Sequence, residues 1–208
     1  MTNPHSHPIL LDPIPDQSNR LAYLLGRVFH PAVICIPTLA LVLRDLNLEE
    51  AVFWLLLVAG MVIVPGLIAI ALLKQRGRFV YQRRTRGPVY IVIWFSIAAS
   101  FIAILLLDGP EVLQVCVVAL LVWLPVQSLI NAFYTKVSTH VAVAAGCATG
   151  LMLLGKLDTP LLQVTALMIV ALTMWARVTT RNHTVKQVVL GLVVGAGSVL
   201  VVFPLFLH

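Results

Sequence analysis

The segment VLQVCVVALLVWLPVQSLINAFY, residues 112–134, contains no charged side chain. A bilayer core is about 30 Å thick, and a helix needs about 20 apolar residues to cross it. The segment therefore predicts a transmembrane helix, and the sequence on both sides of it repeats the pattern.

Seven apolar runs are predicted to span the membrane, and turn signals such as Asp-Gly-Pro at 108–110 separate them. They cover residues 21–43, 51–73, 89–107, 112–134, 139–154, 160–176 and 188–207, of which the fifth and sixth are short. We expect an all-α integral membrane protein, a bundle of about seven transmembrane helices. Residues 1–20 form a polar N-terminal tail, and residues 21–208 form a single transmembrane helical domain.

The composition agrees with this interpretation. The chain has 208 residues, of which 60% are hydrophobic and 11% charged, whereas soluble domains average about 45–50% apolar and about 25% charged residues. The three cysteines lie inside apolar runs without metal-site or redox spacing, so they are interpreted as packing residues, and no disulfide is expected.

The formal net charge of +6 is concentrated on one side of the predicted bundle. If the helices alternate in direction, the N-terminus and the loops after spans two, four and six share one side. That side receives Arg20, Lys74, Arg76, Arg78, Arg83, Arg84, Arg86, Lys136, Arg177, Arg181 and Lys186. Only Arg44 and Lys156 fall on the other side, so the positive-inside rule predicts that the cation-rich side faces the cytoplasm.

The acidic residues exclude several classes of membrane enzyme. No Asp or Glu lies between Glu50 and Asp108, or between Glu111 and Asp158. Prenyltransferases and alcohol phosphotransferases that hold magnesium through paired aspartates are therefore excluded, and we expect neither a metal site nor a cofactor. Ser198 is interpreted as a helix-packing residue and not as a protease nucleophile.

The cation-rich side also carries polar residues at the starts of the predicted spans. Ser138 and His140 follow Lys136 before the fifth span, and His183 follows Arg177 before the seventh, with Gln187 on the same helical face. A third basic segment includes Arg83 and Arg86. Arginine forks, imidazoles and helix N-termini without metal ligands favour an oxyanion such as phosphate. His5, His7, His30 and His208 have no such neighbours in the sequence and receive no site role.

These segments resemble the type 2 phosphatidic acid phosphatase superfamily over residues 83–195. The third family motif matches Arg177, five residues, His183, three residues and Gln187, and the second matches residues 137–140, Val-Ser-Thr-His. The first motif is divergent, because Gly87 separates Arg86 from Pro88 and Phe79 stands where the family has Lys. In the third motif, Gln187 replaces the usual Asp.

The resemblance implies a lipid phosphate phosphatase with a phosphohistidine intermediate and no metal. By that resemblance His183 is the nucleophile, His140 the acid that protonates the leaving alcohol, and Gln187 the residue that orients His183. The predicted phosphate ligands are Arg177, Ser138, Arg86, Lys136 and Arg83. The substrate is a phosphorylated membrane lipid, namely phosphatidic acid, phosphatidylglycerol phosphate or a polyprenyl phosphate, and no nucleic-acid partner is expected.

Two other functions stay open. Gln187 and the divergent first motif also fit a catalytically inactive relative that binds or transports a phosphorylated lipid. A small transporter with an anion site is weaker, because the span interiors hold almost no ionisable residue. The sequence leaves the oligomeric state undetermined.

Two glycine stripes, Gly146-xxx-Gly150 and Gly191-xxx-Gly195, permit close helix packing. If the two stripes packed against each other, His140 and His183 would be held near each other.

Overall fold

The structure is a computed structural model, and it describes residues 16, 18–77 and 82–206, apart from the side chain of Arg84. Most of the predicted tail, residues 1–15 and 17, lies outside the described residues. The described part forms eight α-helices and no strand: α1 Arg20–Val28, α2 Pro31–Val42, α3 Leu48–Gln75, α4 Arg86–Leu106, α5 Glu111–Phe133, α6 Thr139–Leu153, α7 Pro160–Thr179 and α8 Val185–Val202.

The first apolar run, predicted as one continuous span, is broken into α1 and α2. The two helices meet at an angle of 46°. Pro31 follows the break, and His30 before it is extended, with φ −66° and ψ 141°. Proline disfavours the helical conformation in the residue that precedes it and starts a new helix readily, so the break falls at this position.

Five helices in the described part are long and apolar enough to cross a membrane: α3, α4, α5, α7 and α8 extended to Leu205. The bent pair of α1 and α2 makes six if it acts as one span. The fifth predicted run folds as α6, which has 15 residues and is therefore only about 22 Å long. The all-helical, multi-pass architecture is confirmed, whereas a count of seven spans stays a prediction.

Large apolar side chains point outward over much of the bundle. Leu106, Phe133 and Leu161 are each at least three-quarters exposed. Such exposure would be unfavourable in water over so many side chains, but it is the expected state of helices surrounded by lipid tails. The surface of the described chain is therefore that of a membrane protein.

The closest packing in the bundle joins α6 and α8 through their glycine stripes. A Cβ atom on Gly195 would lie 2.0 Å from the carbonyl oxygen of Ala142, and one on Gly146 would lie 3.3 Å from the carbonyl oxygen of Gly195. The two backbones can approach this closely only because neither residue has a side chain there. The stripes thus face each other, as the spacing of the glycines allows.

The two ends of the bundle differ in charge. At the end where α2 stops and α7 starts, Arg44 donates to Asp158 over 2.7 Å, and Lys156 forms an ion pair with Asp45. The Lys156 ammonium lowers the pKa of Asp45, and the Arg44 guanidinium lowers that of Asp158. Both cations at this end are therefore paired with carboxylates, while the remaining described cations of the loops lie toward the opposite end.

The glycine contact leads to a stability prediction. Gly195→Ala places a methyl group against the Ala142 carbonyl, and the helices must separate to accommodate it. We expect a loss of roughly 1–3 kcal/mol, as in overpacked cores, measured as a lower unfolding midpoint in detergent.

Gly197 is the matched control on the same helix, because a Cβ atom there meets nothing within 4 Å. Gly197→Ala should leave the midpoint unchanged or raise it, since alanine favours a helix over glycine by about 1 kcal/mol. Equal midpoints for the two variants would contradict the packing described here.

Candidate functional site

The starts of α6 and α8 are fixed to each other at the end of the bundle opposite the ion pairs. The Ser138 N–H donates to the Gln187 carbonyl over 3.3 Å. One turn further along α8, a Cβ atom on Gly191 would lie 2.7 Å from the Ser138 carbonyl oxygen. The glycine stripe therefore places the two motif segments, which are separate in the sequence, side by side.

His183 lies in the turn between α7 and α8, and its side chain is only 6% exposed. The backbone passes through Arg181 with a φ of +52°, and the His183 N–H then donates to the Arg177 carbonyl over 3.1 Å. This backbone bond closes the turn and fixes the separation of Arg177 and His183. The five residues between Arg177 and His183 thus form the end of α7 and the turn that follows it.

Gln187 contacts the His183 ring as predicted from their spacing. Its Oε1 lies 3.2 Å from His183 Nδ1 and also accepts from the Thr184 N–H over 3.2 Å, while its Nε2 donates to Thr135 Oγ1 over 3.3 Å. The Thr184 N–H can only donate, so it fixes which end of the amide is the oxygen. His183 Nδ1 must then carry a proton, and Nε2 keeps its lone pair.

The Gln187 side chain has a second task at the start of α8. Thr184 Oγ1 accepts from the Gln187 N–H, and the Gln187 side chain accepts from the Thr184 N–H, which is a capping box. The residue that orients His183 is consequently held in place by the helix end itself. A substitution of Gln187 would therefore affect both the stability of α8 and the orientation of the His183 imidazole.

Two buried polar atoms of the site have no hydrogen-bond partner among the described residues: Ser138 Oγ and Arg177 Nε. Ser138 is fully buried and precedes α6, yet its hydroxyl does not cap that helix. A buried donor without a partner costs about 1–3 kcal/mol. The cost is avoided when an acceptor such as a phosphate oxygen occupies the site.

Arg86 and Lys136 complete the buried charge around His183, with side chains only 6% and 5% exposed. Arg86 Nη1 donates to the Val137 carbonyl over 2.9 Å, which attaches the start of α4 to the segment before α6. Burial, reinforced by the positive charges of Arg86, Lys136 and Arg177, lowers the pKa of His183 to about 2. The imidazole is therefore neutral at physiological pH, the form in which Nε2 can attack.

His140 lies in the first turn of α6 and interacts electrostatically with Arg177, His183 and Arg86. The sequence-predicted residues His140, His183, Gln187, Ser138, Arg177, Arg86 and Lys136 thus form one cluster. The starts of α4, α6 and α8 all point toward it, and helix N-termini carry partial positive charge. The cluster brings buried cations and helix N-termini together, which is an arrangement that suits an anion.

Arg83, one of the predicted phosphate ligands, contacts the end of α5. Its Nε donates to the Asn131 carbonyl, and its Nη2 donates to the Ala132 carbonyl over 2.9 Å. These carbonyls belong to the last turn of α5, where a cation interacts favourably with the helix dipole. In the structure Arg83 therefore stabilises a helix end, and its predicted phosphate contact stays untested.

His30, which the sequence analysis left without a site role, lies beside His140 in the structure. Its ring centroid lies 5.2 Å from that of His140, with the ring planes at 90°. The two residues are far apart in the sequence, so no motif links them. The available signal was local: a polar residue followed by Pro31 inside an apolar run marks a helix start.

A buried polar layer lies beneath the cluster. Gln127 of α5 is fully buried, and its Nε2 donates to Thr139 Oγ1 over 2.8 Å and to the Tyr90 hydroxyl over 3.3 Å. These contacts tie α4, α5 and α6 together at the first residue of α6, next to Ser138.

An apolar cavity of about 150 Å³ lies deeper in the bundle. Residues of α2, α3, α5, α6 and α8 line it, among them Trp123, Ala142 and Cys147. Ala142 is one helical turn from Ser138, so the cavity begins close to the polar cluster.

Comparison with known proteins adds no assignment: no protein-family model, no curated protein and no solved structure matches this chain.

The pKa of His183 leads to a prediction about acid stability. Unfolded histidine binds a proton below about pH 6.5, whereas His183 in the folded chain stays neutral down to a pH of about 2. Protons then favour the unfolded chain, so this contribution to stability is present above pH 6.5 and is lost as the pH falls. Between pH 7 and 5 the loss is on the order of 2 kcal/mol.

His183→Gln removes the titrating ring and should reduce the fall in unfolding midpoint between pH 7 and 5, measured in a phosphate-free buffer. His30 and His140 are present in both proteins, so the difference isolates position 183. An identical fall in both would show that His183 is not held neutral.

Proposed function

We propose that this chain is a membrane phosphatase that hydrolyses a lipid phosphate monoester or a polyprenyl (pyro)phosphate through a phosphohistidine, without a metal. The observation that carries the proposal is the His183 ring. Its Nδ1 proton is bound by Gln187, and its Nε2 lies among buried cations without a hydrogen-bond partner in the described part of the chain. A neutral, oriented imidazole is the form required of a nucleophile. On this proposal the chain belongs to the type 2 phosphatidic acid phosphatase superfamily.

The reaction would proceed in two balanced steps. His183 Nε2 attacks phosphorus, and the bond from phosphorus to the ester oxygen breaks. His140, protonated while the anionic phosphate is bound, gives that proton to the departing alcohol and becomes neutral. Water then attacks phosphorus, releases inorganic phosphate and regenerates the neutral His183, while His140 takes back a proton. Arg177, Arg86, Lys136 and Ser138 would stabilise the negative charge on the phosphoryl oxygens in both steps.

A lipid is the substrate class that the surroundings of the cluster favour. The apolar cavity starts one turn from Ser138, and the outer surface of the bundle is apolar. A water-soluble phosphate ester would gain nothing from either feature. Phosphatidic acid, phosphatidylglycerol phosphate and a polyprenyl phosphate all combine a phosphate head with apolar chains, and the proposal covers all three.

A second function is favoured by one specific observation, the neutral side chain at position 187. Gln187 orients the ring but contributes no negative charge to the phosphorylated imidazole, whereas a carboxylate would. The alternative is therefore an inactive relative that binds or transports a phosphorylated lipid with the same cluster. Both functions predict phosphate binding, and only the first predicts phosphate release.

The decisive experiment is inorganic phosphate release by the purified protein from the three lipid phosphates, in detergent micelles containing EDTA. We expect release by the wild type, unaffected by the chelator, and none by His183→Ala. Arg177→Met should lower the rate on the order of 10²-fold, as loss of one stabilising donor does elsewhere. Acid-labile radiolabelled phosphate trapped on the wild type would identify the intermediate.

Arg181→Met is the matched control, because the Arg181 side chain is 79% exposed and pairs with Asp16 over 3.8 Å outside the cluster. It should retain the wild-type rate. Lipid phosphate binding without any release would favour the inactive relative, and undiminished release by His183→Ala would contradict the proposed nucleophile.

We also propose seven membrane spans, with α6 and the α1–α2 pair each counted as one, and the cluster at the cytoplasmic face. The loop cations support this orientation by the positive-inside rule. In a background with Cys35, Cys116 and Cys147 changed to alanine, Arg76→Cys should be shielded from an impermeant thiol reagent in intact cells, and Glu111→Cys should be labelled. Both positions are exposed, and the reverse labelling pattern would place the cluster outside.

A further inference from the structure

The break between α1 and α2 brings a third histidine to the cluster. The His30 and His140 rings meet edge to face, with their centroids 5.2 Å apart. Aromatic rings in this arrangement attract each other through their quadrupoles and fix each other's orientation. The His140 ring therefore has a neighbour that restricts its plane.

The His30 ring is itself held in place. Its Nδ1 accepts from the Ala32 N–H over 3.3 Å, so the side chain caps the start of α2. An accepting Nδ1 carries no proton, which makes His30 a neutral ring with its proton on Nε2. Because Pro31 fixes the backbone directly after it, the ring is presented to His140 from a rigid helix start.

A second contact shows that the α1–α2 unit forms a wall of the cluster. A Cβ atom on Gly26 would lie 3.3 Å from Arg177 Nη1, so the guanidinium lies directly against the backbone of α1. Arg177 also interacts electrostatically with both His30 and His140. The region of family resemblance, residues 83–195, therefore does not contain the whole cluster.

We propose that His30 is a positioning residue that holds the His140 ring in the orientation needed to donate a proton to the leaving group. The inference rests on the proposed phosphatase function. It adds a residue from outside the resembling segments and assigns it to one of the two chemical steps, the breaking of the bond between phosphorus and the ester oxygen.

This role can be separated from a merely structural one by the choice of leaving group. An alkyl alcohol leaves as a strongly basic alkoxide unless a proton is supplied, so its departure depends on His140. A nitrophenolate is a weak base and departs without a proton. Misorienting His140 should therefore slow the hydrolysis of an alkyl phosphate and leave that of a nitrophenyl phosphate unchanged.

Two variants of His30 each remove one of its two contacts, either the ring contact with His140 or the cap of α2. Asparagine is a strong helix N-cap without a ring, so His30→Asn keeps the start of α2 and loses the contact with His140. Phenylalanine keeps an aromatic ring and loses the capping nitrogen. In the purified full chain, His30→Asn should lower kcat for phosphatidic acid about 10-fold at unchanged KM and leave nitrophenyl phosphate hydrolysis unaltered. His30→Phe should retain most of the wild-type kcat for both substrates.

Each other outcome has a defined meaning. Wild-type rates in His30→Asn with both substrates would overturn the role of the ring. An equal fall for both substrates, accompanied by a lower unfolding midpoint, would assign His30 to the fold alone and overturn the proposal. If the wild type releases phosphate from neither substrate, the phosphatase function fails and the role of His30 fails with it. Release by the wild type combined with an insensitive His30→Asn rejects His30 alone.

Discussion

The contact between α6 and α8 is the constraint on which the rest of the structure depends. Gly195 lies against the Ala142 carbonyl, and Gly191 lies against that of Ser138, so neither position has room for a side chain. Backbones this close fix the relative height of the two helices. The Ser138 N–H consequently meets the Gln187 carbonyl, and the residues at the two helix starts share one volume. The electrostatics of the cluster follow from this approach.

The described residues around His183 are mainly cationic. Arg86, Lys136 and Arg177 lie around His183, and among the described residues only Asp16 provides a carboxylate near this end, paired with Arg181 outside the cluster. At the opposite end Arg44 and Lys156 each have an acidic partner. Buried cations are stable only when anions or acceptors approach them. On the proposed function, an anionic phosphate would supply acceptors to Ser138 Oγ and Arg177 Nε, which have no hydrogen-bond partner among the described residues.

The sequence determines some of these features and not others for identifiable reasons. Run lengths predict the helices within a few residues, as residues 51–73 against Leu48–Gln75, because backbone in lipid must bond to itself. A spacing of four residues predicts that Gln187 reaches His183, because that contact is local.

The contact between His30 and His140 is not local, so no spacing in the sequence predicts it. The position of Arg83 depends on backbone carbonyls of α5, which leave no trace in residue type. The helix α6 has only 15 residues. This short helix is accommodated in the bundle because it packs against α2, α7 and α8.

On the proposed mechanism, the neutral side chain at position 187 shifts the balance between the two chemical steps. Gln187 leaves the cationic field undiminished, which favours binding of a phosphate dianion and keeps His183 neutral for attack. The phosphorylated ring, with its proton on Nδ1, carries positive charge that an amide oxygen stabilises less than a carboxylate would. Formation of the phosphohistidine is then harder, and its hydrolysis is easier, because the intermediate lies higher in free energy. An enzyme of this kind would bind its substrate firmly and accumulate less phosphohistidine than an enzyme with a carboxylate at position 187. Formation of the bond between phosphorus and His183 would limit the rate of the reaction. His140 assists this step, and His30 positions the His140 ring for it.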